Sequence, residues 1–325
     1  MAADSRWLRD TKWGVFVHFL AEHHLDQPIT PAKWNRLVDD FNVERLADQL
    51  KSAGAGYLIF TIGQNSGYFC APNPVYDDLV GHSESHCSRR DLLAELYEAL
   101  HQRGIHLIAY LPGGAPEQDA QAVARLEWQK GGPDRLVNFQ RKWEAICRTW
   151  SERWGTKVRG WWIDGCWFAD AMYRFDDEPN FKSFAAALKA GNPDSLVGFN
   201  PGIRLPAIES MTPYEDMTFG ECLDVLYVGT YERTGDGGWG NYVDFRDGTV
   251  NGVQLHIYLS LKAYLKGVKF SDTPSRFPQE LVTGYTRYLN ERGGVISWET
   301  PITATGELKP LYFRQLSELG QAIGK

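Results

Sequence analysis

What the sequence lacks narrows the field before anything in it is read. No stretch approaches the roughly twenty apolar residues that cross a bilayer, so no membrane partner is expected. The opening Met1-Ala2-Ala3-Asp4-Ser5-Arg6 has no apolar signal core, and the expectation is a cytoplasmic protein; a periplasmic or secreted protein with its signal peptide removed would read the same way. No Lys/Arg cluster breaks the net charge of -7, which leaves no basic footprint for nucleic acid. The five cysteines, Cys70, Cys87, Cys147, Cys166 and Cys222, are irregularly spaced with no C-x-x-C pair, so neither a disulfide framework nor a zinc ribbon follows. G-x-G-x-x-G does not follow the first strand, and P-loop, H-E-x-x-H and G-x-S-x-G patterns are absent. Dinucleotide, nucleotide-triphosphate, zinc-protease and serine-hydrolase chemistry lose their usual signatures.

What is present is a 325-residue chain, 43% hydrophobic and 23% charged, with 32 glycines and 16 prolines: a globular composition with many turns, able to bury a large core. Twelve tryptophans are an excess, and several stand beside glycines rather than inside periodic runs. Aromatic faces suit the apolar sides of sugar rings, although any single tryptophan fills core as readily.

Short apolar runs alternate with amphipathic stretches. Trp13 to Phe19, Leu58 to Ile62, Ile105 to Leu111 and Gly160 to Asp164 read as strands one to four, with Leu196 to Phe199 a weaker fifth. Thr30-Pro31 opens a short helix, Asn42 caps the next before Gly54 stops it, and Ser88-Arg89-Arg90-Asp91 looks like a capping box for a third. A long loop without periodicity runs from Gly63 to Cys87, and an amphipathic helix from Leu136 to Trp154 delivers the fourth strand. Residues 200–252 are irregular and glycine-rich, with no strand that periodicity can place. Leu255 to Leu261 and Gly294 to Trp298 read as later strands, 278–290 and 309–323 as helices. Strand followed by helix, repeated, predicts an α/β fold, a (β/α)8-like TIM barrel irregular in its second half, as a single domain over 1–325.

In such a barrel chemistry collects at the C-terminal ends of strands, which singles out His18, Gln64, Asn65, Tyr110, Asp164 and Asn200. Asp164 is the strongest candidate, a carboxylate ending an apolar run and followed at once by Gly165. A turn-forming Asp-Gly would have the same pattern. Hydrolysis of a glycosidic bond asks for a second carboxyl in a different environment, and Glu209, Glu215, Asp216, Glu221 and Glu232 are all available. His82, His86 and Cys87 lie close enough to raise a metal question. With no second cluster at ligand spacing they read as a surface loop, and no metal is expected.

Several segments, in order, resemble the α-L-fucosidases of glycoside hydrolase family 29: Trp13-Gly14-Val15-Phe16-Val17-His18-Phe19, Gly54 to Thr61, Arg90-Asp91-Leu92-Leu93, Leu107-Ile108-Ala109-Tyr110, Trp162-Ile163-Asp164-Gly165 and the region from Gly293 to Gly306. The resemblance implies a (β/α)8-like barrel and places the nucleophile at Asp164. It aligns Asp216-Met217-Thr218-Phe219-Gly220-Glu221 with the stretch ending in the acid/base glutamate, hence Glu221, with Glu232 as the alternative. It implies that His18 contacts a sugar hydroxyl and that Trp34, Tyr110 and Trp162 form pocket wall. The chain departs from the family where two adjacent histidines would follow strand two, having Gln64-Asn65 instead. It departs again where Phe199-Asn200-Pro201-Gly202 replaces an asparagine-aspartate-arginine run, and no segment matches the family's C-terminal β-sandwich.

The expectation is therefore a retaining exo-α-glycosidase with altered sugar specificity. Asp164 and Glu221 are catalytic, and His18, Trp34, Gln64, Asn65, Tyr110 and Trp162 hold a small carbohydrate without cofactor. The rival is a non-hydrolytic carbohydrate-binding or sensing protein, favoured if the two carboxylates stand more than about 10 Å apart. Nothing in the sequence reports oligomeric state.

Overall fold

The computed structural model describes residues 3–131, 134–222, 225–263 and 274–324. Five apolar runs form β1 (Trp13–Val17), β2 (Tyr57–Thr61), β3 (His106–Pro112), β4 (Gly160–Asp164) and β5 (Leu196–Phe199). Nearly every residue in them is buried, on both faces, as a parallel sheet between helices and a filled interior demands. Beyond β5 come the two-residue β6 (Glu221–Cys222), a hairpin of β7 (Gly229–Arg233) and β8 (Trp239–Asp244), the short β9 (Thr249–Val250) and β10 (Val253–Gln254), then β11 (His256–Ser260) and β12 (Val295–Glu299). Eight strands pair in parallel in the order β5-β4-β3-β2-β1-β12-β11-β6, and the sheet curls into the expected (β/α)8-like barrel.

The two ends of that sheet, β5 and β6, do not pair with each other. Residues 215–220 fill the seam. Asp216 N donates to Val197 O at 2.8 Å, and Val197 N donates back to Asp216 Oδ2 at 3.0 Å, while Phe199 N donates to Glu215 Oε2 at 3.3 Å. Two buried carboxyl groups thus take N–H groups that a neighbouring strand would have taken. Asp216 is further held by Lys189 Nζ at 2.6 Å and Ala3 N at 2.7 Å. Burial pushes the Glu215 carboxyl well above the usual range.

Alternate strand residues point inward, so Phe16, Ile59, Tyr110, Trp162 and Tyr258 fill the barrel with Phe219 from the seam. Gly14 is required low in this interior, since a Cβ there would lie 2.5 Å from the Tyr57 ring. The outward residues pack on capped helices. Thr30 Oγ1 accepts from Lys33 N ahead of Pro31, and Asn42 Oδ1 accepts from Arg45 N in a helix that ends at Gly54 with φ 83°.

Two expectations are corrected. Asp91, not Ser88, caps the helix Leu92–His101, its side chain accepting from Ala94 N. The long loop after β2 contains a helix, Pro74–Val80, capped by Asn73 and too short to show a period. The second half is irregular as expected and holds β6 to β10, whose exposed or two-residue strands carry no apolar alternation to read. Among the described residues no helix is long and apolar enough to cross a membrane.

Candidate active site

Asp164 is the last residue of β4, and Gly165, at φ 77°, turns the chain so that its own N–H bonds Asp164 Oδ1 at 2.8 Å. Oδ1 also accepts from Asn200 Nδ2 at 2.7 Å, and Oδ2 accepts from Tyr110 OH at 2.6 Å. Three donors therefore converge on this carboxylate. Burial, then the Asp164 charge, raises the Tyr110 phenol well above its usual range, so it remains a donor, and Gln64 Nε2 donates to its oxygen at 2.5 Å.

Asn200 Nδ2 has a second hydrogen, and it reaches Glu221 Oε2 at 2.6 Å. The amide cannot be turned the other way round, because Asn200 Oδ1 accepts from Gly202 N at 2.7 Å. One nitrogen bound to both carboxyls keeps Asp164 Oδ1 and Glu221 Oε2 no more than about 5.3 Å apart, closer than the roughly 6.5–9.5 Å that leaves room for a water between two carboxyl groups. Glu221 receives far less polar support. Burial, then the charge on Asp164, lifts its carboxyl from 4.5 to about 7 against the opposing bond from Asn200.

Facing this pair is a second polar group. Glu299, the last residue of β12, accepts from Tyr258 OH at 2.5 Å, lies 2.9 Å from His18 Nδ1 and pairs with Lys262. Burial alone would raise its pKa. Lys262 and His18 overcome that and hold Glu299 well below the usual carboxylate range. Burial pulls Lys262 below its usual range, and Glu299 opposes that shift. Burial also lowers His23 to about 3, which leaves it neutral.

His18, His23, Gln64, Trp162, Asp164, Glu221, Tyr258, Lys262 and Glu299 enclose a cavity of about 210 Å³, comparable with one sugar ring. A neighbouring hollow of about 120 Å³ shares Gln64 and Asp164 and continues past Asn65 to Trp128 and the half-exposed Trp167. A larger hollow, about 760 Å³, lies at the opposite end of the barrel beside Lys12 and Asn290 and contains none of these groups.

Of the residues singled out in the sequence, Asp164, Glu221, His18, Gln64 and Trp162 line one cavity, with Tyr110 bonded beneath it. Asn65 lines only the neighbouring hollow. Trp34 lines neither; its indole donates to Phe69 O at 2.9 Å and packs 5.6 Å from Phe19. Glu232 stands exposed on β7 beside Asn241. Glu209 pairs with Arg233, and Glu215 and Asp216 belong to the seam. Sequence reasoning missed Glu299, Lys262, Tyr258 and His23. The strand-end rule that found Asp164 would have found Glu299 had the last strand been read one residue longer, and Lys262 lies just past β11 in the same way.

No protein-family model matches this sequence, and no curated protein matches it. Solved structures do match its fold. An endo-fucoidan hydrolase of glycoside hydrolase family 107 superposes with a TM-score of 0.70 at 17% identity, over 97% of this chain and 53% of that one. The family 29 α-L-fucosidase from Bacteroides thetaiotaomicron gives 0.59 at 14% identity, over 100% and 75%. An α-L-fucosidase from Lactobacillus casei, solved with α-L-fucose product, gives 0.63 at 11%, over 97% and 96%. The chain spans about half the length of the family 107 protein. The fold is thus that of glycoside hydrolase barrels, and the resemblance to family 29 read in the sequence is present in the architecture as a divergent one.

Proposed function

We propose that this chain is a retaining glycosidase in which Asp164 is the nucleophile and Glu221 the general acid and base. The observation that carries the reading is the shared Asn200 amide, which holds one donor-rich and one desolvated carboxyl within about 5.3 Å. Among the described residues Asp164 Oδ2 accepts from Tyr110 alone, which leaves a lone pair for the anomeric carbon. Glu221 Oε2 accepts from Asn200, so the acid proton sits on Oε1. As the Asp164–carbon bond forms, the glycosidic C–O bond breaks and the leaving oxygen takes that proton. The resulting Glu221 carboxylate then removes a proton from water, whose oxygen attacks the same carbon and releases Asp164.

The glycone is a single ring, consistent with exo action. Glu299, Lys262, His18 and Gln64 hydrogen-bond its hydroxyls, in place of the missing histidine pair. A site built for one hydroxyl pattern rejects others strongly, so the sugar need not be fucose. The sensing alternative would be favoured by carboxylates more than about 10 Å apart, and these two share a donor. A panel of aryl glycosides tests the reading. Asp164→Asn should lower kcat on the best substrate at least about 10⁴-fold, and Glu221→Gln about 10²- to 10⁴-fold, least for the most acidic leaving groups. Turnover that survives both substitutions refutes it.

A further inference from the structure

The histidines that raised a metal question in the sequence acquire in the fold a partner that the sequence could not supply. His82 Nε2 lies 2.8 Å and His86 Nδ1 3.1 Å from the same oxygen, Asp119 Oδ2, although Asp119 is 33 residues beyond His86. All three ligand atoms fall within 4.8 Å of one another. Cys87 is not among them; it is buried next to this group, and its N–H bonds Ser85 Oγ.

The three side chains are held where they stand. Asp119 Oδ1 accepts from Ala122 N at 3.0 Å as the cap of helix Ala120–Leu126, which fixes the carboxylate and leaves Oδ2 to the histidines. Tyr68 stacks on His86 at 4.3 Å between ring centroids. Gly67, at φ 77°, passes so close that a Cβ there would lie 2.7 Å from Asp119 Oδ2. Side-chain exposures of 11% for His82 and 17% for His86 leave a way in from solvent.

We propose that His82, His86 and Asp119 form a binding site for a divalent transition metal of the zinc type, with water completing the coordination. Two imidazoles and one carboxylate are the ligand chemistry of zinc and its neighbours, not of magnesium or calcium, which take oxygen. Bonds of about 2.0–2.1 Å in a tetrahedron set ligand atoms about 3.3 Å apart, so the observed contacts to Oδ2 open by only a few tenths of an ångström. The two rings lie 3.7 Å apart at 19°. Both nitrogens face one metal after the rings turn about their Cβ–Cγ bonds, a torsion with broad wells. The carboxylate's capping bond supplies the outer support that metal ligands need. Two imidazoles aimed at one oxygen exceed what a loop anchor requires.

The site ties the loop after β2 to the loop after β3. Gln118 N, next to Asp119, donates to Asn65 O at 2.9 Å, so the metal would stiffen the stretch that presents Gln64 to the sugar cavity and Asn65 to the neighbouring hollow. The assignment does not depend on the glycosidase reading.

The test is zinc binding by the full chain after chelator treatment, followed by calorimetric titration with Zn2+ and by the visible spectrum of the Co2+ form. One Zn2+ per chain is expected, with a rise in Tm, and Mg2+ should produce neither. The cobalt spectrum should show d–d bands without thiolate charge transfer. His82→Gln and His86→Gln, read separately, should each weaken binding at least about tenfold. No zinc bound at 100-fold excess, or a loss smaller than tenfold in either folded variant, overturns the site and leaves a hydrogen-bonded loop clamp.

Discussion

The two halves of the barrel are built by different means. From β1 to β5 each strand pairs with its sequence neighbour through an unbroken parallel ladder. Between β5 and β11 the ladder thins to the two residues of β6, and the carboxyl groups of Glu215 and Asp216 take over its hydrogen bonds. The proposed catalytic pair straddles the difference, with Asp164 ending a regular strand and Glu221 starting a vestigial one. The regular half supplies Asp164, which three donors hold still for the proposed attack. The irregular half supplies Glu221, which burial strips of water, as the proposed proton holder requires. A short strand beside loops brings Glu221 into the cavity without the dense backbone donors that would ionise it.

The comparison breaks first at the seam. Asp216→Ala removes the acceptor of Val197 N and Ala3 N and leaves Lys189 without its buried partner, so unfolding free energy should fall by about 3–5 kcal/mol. Urea denaturation measures it, and a fall below about 1 kcal/mol would mean that the seam carries no weight.

A smaller effect sharpens the contrast between the two carboxyls. The folded-state pKa of Glu221 lies above its unfolded value, so the stability it contributes is fully present below about pH 4.5 and is lost as the pH rises through about 7. The shift corresponds to about 3 kcal/mol. Glu221→Gln cannot ionise. It should match the natural protein near pH 4.5, exceed it by about 3 kcal/mol at pH 8, and lose the alkaline fall in kcat/KM centred near pH 7. Parallel stability–pH curves for the two proteins would remove Glu221 from the role of proton holder.

The smallest effect is the control. Glu232→Gln, on the exposed hairpin, should change stability by less than about 0.5 kcal/mol and leave turnover unaltered. A loss of activity there would transfer the acid/base role across the irregular half.

The same contrast explains what could be read in advance. β1 to β4 were legible because each is an apolar run between turn residues, and Asp164 because a carboxylate ends one of them. Thr30 and Asn42 announced their helices by side-chain chemistry alone. Glu221 has no such frame: a two-residue strand has no period, and only the family resemblance selected it from five acidic residues. Glu299 and Lys262 lay one residue beyond where their strands were expected to end. Asp119 could not be joined to His82 and His86 by any spacing rule, since the curl of the sheet, not the chain, brings their loops together. Trp34 shows the opposite error, an aromatic that packs under the β2 loop where a pocket wall was expected.

Asn200 serves two masters with one nitrogen, and this constrains how the site can change over generations. Any replacement that withdraws the amide strips a donor from Asp164 and a neighbour from Glu221 in a single step. Substitutions at Asp164, Asn200 and Glu221 are therefore epistatic, their combined effect falling short of the sum of the separate ones. A lineage cannot tune one carboxyl by way of Asn200 and spare the other; the three positions are inherited as one character.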